Sequence, residues 1–176
     1  KEDTNKWLAE LIQALPSRQQ RPRADAPRVM VVGGETHDSE LIRLIEDQGA
    51  LVVADDLCMG SRYFWNEVAQ ENDRLSAIAQ RYMDKPSCPV KDVSNTTRRI
   101  RFEFLKSLVR DYRVQGAILV YQKYCDPQEL DVPVLKDFFM ELGLPTTVLE
   151  LDTTLAIGQV KTRAQAFVEM LEIEVG

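Results

Sequence analysis

Arg28-Val29-Met30-Val31-Val32-Gly33-Gly34 is the stretch that decides the fold. Four apolar residues follow one another, three of them are β-branched valines, and two glycines end the run. A short apolar run that stops at a glycine turn is typical of a strand buried on both faces, as in a parallel sheet. The sequence therefore predicts a buried strand over 28–32 that is followed by a tight turn.

Two further apolar runs, at 50–54 and 116–120, resemble this one, and residues 146–149 predict a fourth strand. Between and after them lie segments with helical spacing, near 41–45, 63–70, 73–83, 96–113, 134–142 and 158–171. Strands that alternate with helices form parallel sheets with right-handed crossovers. We therefore predict an α/β fold with a doubly wound, mainly four-stranded parallel sheet of the flavodoxin-like kind. Its strand order is expected to be 2-1-3-4, with helices on both faces.

Upstream of this α/β domain, which we assign to 28–176, the pattern changes twice. Residues 1–15 predict a helix with one apolar face, and the polar, proline-containing segment 16–27 predicts a linker. We expect the helix to pack on an upstream domain and the chain to be a fragment of a longer subunit.

The composition is ordinary for a soluble globular chain of one domain: 176 residues, 44% hydrophobic and 28% charged. The net charge of −6 argues against nucleic acid as a partner. No apolar run reaches membrane-spanning length, so no membrane partner is expected. The polar first residues do not match a secretion signal, and three cysteines are an odd number. These features favour a reducing, cytoplasmic location over a disulfide framework.

The three cysteines lie in polar segments where chains turn, whereas structural cysteines usually lie in apolar runs. Cys58 and Cys125 follow the second and third predicted strands, whose carboxyl ends lie on the edge where doubly wound sheets bind ligands. Cys88 precedes the helix at 96–113, and this helix must begin near the same edge to run back to the third strand. The topology therefore predicts that all three thiols lie at one edge.

Three thiolates at one edge are compatible with several kinds of site. They can hold a four-iron, four-sulfur cluster whose fourth iron stays open as a Lewis acid, and Lys123 would favour the thiolate of Cys125. Zinc with a fourth ligand is an alternative, and so are three unrelated free cysteines. The cysteines lack the compact spacing of ferredoxins, so spacing alone leaves all three possibilities open.

Several motifs in a fixed order carry a resemblance to a known family. They are Asp55-Asp56-Leu57-Cys58-Met59-Gly60-Ser61-Arg62, Arg81-Tyr82-Met83, Gly116-Ala117-Ile118, Gln122-Lys123-Tyr124-Cys125-Asp126-Pro127, Gly143-Leu144-Pro145, Leu149-Glu150-Leu151-Asp152, and the stretch from Gly158 to Leu171. With these motifs the chain resembles the C-terminal domain of the 2-hydroxyacyl-CoA dehydratase and benzoyl-CoA reductase family, namely the D-component or iron–sulfur subunit.

The resemblance implies a subunit of an oxygen-sensitive enzyme that holds a 4Fe-4S cluster and acts on a CoA thioester. Such enzymes work with a homologous second subunit and receive one electron from an ATP-dependent iron–sulfur activator protein. In the dehydratases the electron makes a ketyl radical of the thioester, and the 2-hydroxyl then leaves as water. In the reductases the electrons enter the ring of an aromatic thioester. The family is also similar to double-cubane cluster proteins. A non-catalytic α/β domain that binds a ligand or partner is the remaining alternative.

The resemblance assigns roles to the three cysteines, and the chemistry of three nearby side chains indicates possible neighbours of the cluster. Cys125 is carried over as a cluster ligand, and Cys58 and Cys88 are expected either to join it or to lie just behind the ligands. Lys123, Asp55 and Asp56 are expected close to the same cluster. Family subunits also draw cluster cysteines from upstream domains, so we expect the cluster to be incomplete in this chain alone.

A few other side chains have two possible roles. Asp55 and Asp56 can orient a ligand or cap the next helix. Arg98, Arg99 and Arg101 can bind coenzyme A phosphates, although a solvated helix face explains them more simply. Tyr63, Phe64 and Trp65 can line an acyl pocket or pack against a helix. His37 can act as an acid or base at the site, although a surface position near a helix start is the expected role.

Overall fold

A four-stranded parallel sheet forms the centre of the protein, whose computed structural model describes residues 2–18, 25–34, 39–86, 88–89, 100–152 and 157–175. The elements are, in chain order, α1 Glu2–Ala14 with a 3-10 turn at Leu15–Ser17, β1 Arg28–Gly33, α2 Ser39–Asp47, β2 Leu51–Asp56, α3 Ser61–Phe64, α4 Arg74–Asp84, α5 Ile100–Asp111, β3 Gly116–Gln122, α6 Asp126–Glu141, β4 Thr146–Leu151 and α7 Ile157–Val175.

The strand order is β2-β1-β3-β4 and every pairing is parallel, which confirms the doubly wound sheet predicted from the sequence. Strand β1 lies inside the sheet, and its residue Val31 pairs with Asp55 of β2 on one side and Ile118 of β3 on the other. The order reverses between β1 and β3, so the ligand-binding edge predicted for such folds lies at their carboxyl ends.

The two faces of the sheet bury two separate cores. Val29 and Val31 of β1 face the core that α2 and α7 cover, whereas Met30 and Val32 face the core of α5 and α6. All four side chains are fully buried, as the continuous apolar run predicted. The helices therefore cover both faces, and the carboxyl edge is the place where polar side chains can gather.

Two predicted helices differ from the observed ones. The helix expected over 63–70 is wrong beyond Phe64, because Asn66 adopts a left-handed backbone with φ of 66° and the chain leaves the helical path. The helix expected from residue 134 begins at Asp126, eight residues earlier, and contains Pro133 in its interior. The missing N–H of a proline made the sequence favour a later start. Residues 96–99 of the predicted long helix lie outside the described ranges.

Helix α1 forms as predicted, and it has no buried residue within the described part of the chain. Its apolar face stays open, with Trp7 65% and Ile12 64% exposed. The expected packing of this helix on an upstream domain therefore stays a prediction. Among the helices in the described ranges, none is both long enough and apolar enough to cross a membrane.

Candidate functional site

Cys58 and Cys125 lie at the carboxyl edge of the sheet, where the sequence predicted them. Cys58 follows β2 and Cys125 follows β3, and β1 runs between these two strands. Since neighbouring strands are about 4.8 Å apart, the two strand ends are separated by roughly 10 Å. None of the three cysteines forms a disulfide, and each is partly exposed.

Cys125 is the N-cap residue of α6. Its backbone carbonyl accepts hydrogen bonds from the amides of Gln128 at 2.9 Å and Glu129 at 3.0 Å, which starts the helix. Its side chain makes no capping hydrogen bond, although N-cap side chains usually accept one. The thiol therefore stands at the edge without taking part in the helix start, and its sulfur remains available to a ligand.

The turn before Cys125 holds the backbone in an unusual conformation. Tyr124 has a φ of 69°, in the left-handed region, and its amide donates to Glu129 Oε1 at 2.9 Å. Lys123 Nζ lies 5.3 Å from the centre of the Tyr124 ring and 3.6 Å from Asp152 Oδ2. Tyr124 and then Asp152 favour the ammonium form and raise the pKa of Lys123 above its ordinary value. A cation is thus kept two residues from the thiol.

Asp55 organises the loop that carries Cys58. Its carboxylate accepts hydrogen bonds from the Leu57 amide at 3.3 Å, the Ser61 amide at 2.8 Å and the Ser61 hydroxyl at 2.7 Å. A Cβ atom on Gly60 would lie 1.8 Å from Asp55 Oδ1, so the loop requires glycine there. Asp55 thus has the capping role that the sequence left open, at the first residue of α3. Its place beside a cluster stays a prediction.

Asp56 belongs to a buried network that contains, among the residues described, the charged side chains of Asp56, Arg62, Arg101 and Asp131. Arg62 Nε lies 2.8 Å from Asp56 Oδ1, and Arg101 Nε donates to Asp56 Oδ2 at 2.7 Å. Arg101 Nη1 donates in turn to Asp131 Oδ2. Arg62 Nη2 also donates to two backbone carbonyls, those of Asp56 at 2.7 Å and Gly33 at 3.3 Å. Each of the four side chains is at most 4% exposed.

Arg101 differs most from the role that the sequence predicted for it. It is fully buried, so both the solvated helix face and the contact with coenzyme A phosphates are wrong for this arginine. Burial opposes its charge, but Asp56 and Asp131 more than offset that effect and raise the pKa of Arg101 above its ordinary value. Arg98, Arg99 and His37 lie outside the described residues.

Among the aromatic residues after Arg62, Trp65 has the packing role. Its ring meets Phe104 of α5 edge-on, with 4.9 Å between the ring centres and 75° between the planes. Tyr63 and Phe64 are 52% and 68% exposed, so they do not line a closed acyl pocket within the described structure.

The residues that the structure describes do not form a complete metal site. Within the described ranges, no three His, Cys, Asp or Glu side chains are grouped closely enough to hold a metal ion. The three cysteines are thus not brought together as one ligand set, and Cys88 lies between Pro86 and Pro89 with neighbours outside the described residues. The thiol of Cys125 is partly exposed and makes no disulfide, so its chemistry is compatible with that of a single metal ligand.

Comparison with known proteins gives a consistent family assignment. Residues 1–171 match the family described as 2-hydroxyglutaryl-CoA dehydratase, D-component. The chain is 25% identical over 172 residues to the (R)-phenyllactyl-CoA dehydratase beta subunit of Clostridium sporogenes and 28% identical over 173 residues to the lactoyl-CoA dehydratase subunit beta of Anaerotignum propionicum. It is also 26% identical over 146 residues to a subunit of the benzoyl-CoA reductase of Thauera aromatica.

These matches cover 97%, 97% and 82% of this chain but only 44%, 45% and 37% of the three relatives. The chain therefore spans less than half the length of each of these relatives. The family match extends over nearly all of its residues, from α1 through most of α7. The chain belongs to the 2-hydroxyglutaryl-CoA dehydratase D-component family.

Proposed function

We propose that this chain is the C-terminal domain of an iron–sulfur subunit of a 2-hydroxyacyl-CoA dehydratase. The complete enzyme would remove water from a 2-hydroxyacyl-CoA by radical chemistry, after one-electron reduction by an ATP-dependent activator. Family membership supports the class of enzyme, and relatives that are named dehydratase subunits support the reaction. The observation that carries the proposal is Cys125, a partly exposed thiol that begins α6 without capping it.

In this proposal Cys125 is a ligand of a 4Fe-4S cluster. A partly exposed thiol at the carboxyl edge beside the β1–β3 switch point lies where doubly wound sheets bind their ligands. When bound, such a cluster supplies one-electron chemistry and an iron that can act as a Lewis acid. Cys58 and Cys88 are proposed either as further ligands or as neighbours of the cluster.

The residues around Cys125 would prepare the site for an anionic ligand set. Lys123, two residues before Cys125, carries a positive charge that would offset the negative charge of a bound cluster. Glu129 holds the Tyr124 amide, and so fixes the turn that leads into Cys125. Asp55 fixes the Cys58 loop, while Asp56 and its buried partners hold the end of β2.

The rest of the site would come from outside this chain. More than half the length of the relatives is not represented here, and we propose that upstream domains add cluster cysteines. A homologous second subunit, the activator and the acyl-CoA are the proposed partners, in an oxygen-free cytoplasm. Helix α1, with its open apolar face, is proposed to pack on the upstream domain.

The proposal is tested by purifying the full-length protein without oxygen and measuring iron and acid-labile sulfide. We expect to find both. The Cys125→Ala variant should lose iron, and the Cys58→Ala and Cys88→Ala variants test the other two thiols in the same way. An iron-free parent protein, or a Cys125→Ala variant with unchanged iron, would contradict the proposal. Zinc without labile sulfide would select a structural zinc module instead.

A benzoyl-CoA reductase type of subunit is the second candidate, because the chain is 26% identical to such a subunit over 146 residues. The two candidates differ in substrate, since one eliminates water from a 2-hydroxyacyl thioester and the other reduces an aromatic thioester ring. Assays of the reduced complex with both substrates distinguish them. A double-cubane type of reductase would hold the cluster yet turn over neither thioester, and a non-catalytic binding domain would hold no cluster.

A further inference from the structure

The buried network at the β2 edge reaches the helix that Cys125 begins. Arg101 on α5 bonds to Asp56 at the end of β2 with one nitrogen and to Asp131 of α6 with another. Asp131 lies six residues after Cys125, about 9 Å along the helix axis. One guanidinium thus joins the end of β2 to the first half of α6.

Helix α6 is held by different forces in its two halves. Its buried residues in the second half are apolar, namely Leu135, Phe138 and Phe139. In the first half the buried residues are Gln128 and Asp131, both polar. The partly buried Val132 also packs against the α5–α6 core, but Gln128 and Asp131 contribute little through apolar burial, so hydrogen bonds and ion pairs supply much of what keeps the first half in place. Within the buried network, the hydrogen bond from Arg101 to Asp131 holds this half of the helix.

Arginine is suited to this position by its shape. Its planar guanidinium presents donors in a rigid fork, so two carboxylates from different elements can be bound in a fixed relative geometry. In Arg101 the Nε atom binds one carboxylate and the Nη1 atom the other. A lysine ammonium is a point charge on a flexible stem and does not impose that geometry.

We propose that Arg101 is a positioning residue that locks the amino-terminal half of α6, and with it Cys125, to the end of β2. The role of Cys125 as a metal ligand rests on the proposed function, whereas the lock itself does not. Through this lock the β2 edge and the thiol after β3, which belong to non-adjacent strands, keep a fixed separation.

The lock can be removed as a pair of opposite charges. In an Arg101→Met/Asp131→Leu double variant, one positive and one negative charge disappear together, and Asp56 keeps Arg62 as its partner. Leucine branches at the same atom as aspartate, and apolar replacements of buried ion pairs are often tolerated. The matched control is Arg110→Met/Asp111→Leu, which removes an exposed ion pair from the same helix α5.

Two readouts on the full-length protein report the position of α6 directly. Hydrogen exchange of the Gln128 and Glu129 amides reports the first turn, because both donate to the carbonyl of Cys125. The rate of Cys125 alkylation by iodoacetamide, measured on its own peptide, reports access to the thiol. We expect the double variant to exchange these amides about tenfold faster and to alkylate Cys125 faster, with β1 and β3 amides unchanged. The control should match the parent.

A third readout is iron retention under chelator challenge. Changing a residue that orients a metal ligand typically lowers metal affinity about 10–100-fold, and we expect a loss in that range. Should the double variant not fold, Arg101→Lys keeps the buried charge and still removes the fork, so the two amides should again exchange faster. Parent-like exchange and alkylation in the variant that folds would overturn the lock. A parent protein without iron would overturn the proposed function. The role of Arg101 would then still be tested by the exchange of the Gln128 and Glu129 amides.

Discussion

The ends of β2 and β3 lie on the same edge of the sheet, yet they are built in opposite ways. At the end of β2, Asp55 and Asp56 are engaged by backbone amides, a hydroxyl and two arginines, and Asp56 is fully buried. At the end of β3, Lys123 and Tyr124 are exposed and Cys125 leaves its helix uncapped. The comparison teaches that hydrogen bonds and buried ion pairs fix the side chains at the end of β2, whereas the side chains at the end of β3 are left accessible.

The largest effect is expected from Arg101→Met at the buried end. This change leaves Asp131 without the guanidinium that binds it, and breaking one side of a buried ion pair costs about 3–5 kcal/mol. Urea denaturation of the metal-free protein measures the loss. Arg110→Met on the same helix, where the side chain is 77% exposed, should stay within about 0.5 kcal/mol of the parent. Equal losses in both variants would mean that the buried ion pairs contribute no more to stability than the exposed one.

Gly60→Ala should have the next largest effect, again at the end of β2. The added Cβ atom would lie 1.8 Å from Asp55 Oδ1, so the carboxylate must move and its hydrogen bonds to Ser61 must weaken. Forcing an extra carbon into a filled site costs about 1–3 kcal/mol, which thermal unfolding measures. Gly158→Ala is the control, because an added Cβ there meets no atom within 4 Å. A neutral Gly60→Ala would show that the Cys58 loop adapts freely.

The contrast between the strand ends also explains what could be predicted from sequence. The apolar runs of β1 and β3 are buried on both faces, so a continuous hydrophobic pattern identifies them, and the parallel order follows from the helices between them. The edge position of Cys58 and Cys125 followed from that topology. Local pattern and global fold agree wherever apolar burial dominates.

The buried network was missed because the sequence marks its members only weakly. Arg62, Arg101 and Asp131 lie on three different helices, and each alone looks like a surface charge. The contact of Asp56 with two arginines is visible only in the folded structure. One signal was available, since Arg101 is flanked by Ile100 and Phe102 in a segment with apolar spacing. The start of α6 was missed for a different reason, because Pro133 is untypical of a helix interior.

A smaller effect is expected from Glu129→Ala at the exposed end of β3. Glu129 Oε1 accepts the Tyr124 amide at 2.9 Å, and removing an exposed acceptor of this kind costs about 0.5–1 kcal/mol. Denaturation with urea measures the change, and Glu129→Gln should retain most of the stability because its amide oxygen can still accept. If Glu129→Ala proved as damaging as Gly60→Ala, the two strand ends would not differ as the structure indicates.

The smallest change in stability, and the only one expected to be favourable, comes from Cys125→Ser in the metal-free protein. Cys125 occupies the N-cap of α6 with no capping hydrogen bond, and serine is among the best residues at that position. Pro127 has no N–H, so the serine hydroxyl oxygen would accept from the Gln128 amide, which already donates to the carbonyl of residue 125, and we expect a gain of about 0.5 kcal/mol. Cys125→Ala gives no such acceptor and should not stabilise. A gain for serine, together with the loss of bound iron, would mean that folding alone favours another residue here and that the thiol is retained for its chemistry. A serine variant no more stable than the alanine variant would show instead that the cysteine costs the helix nothing.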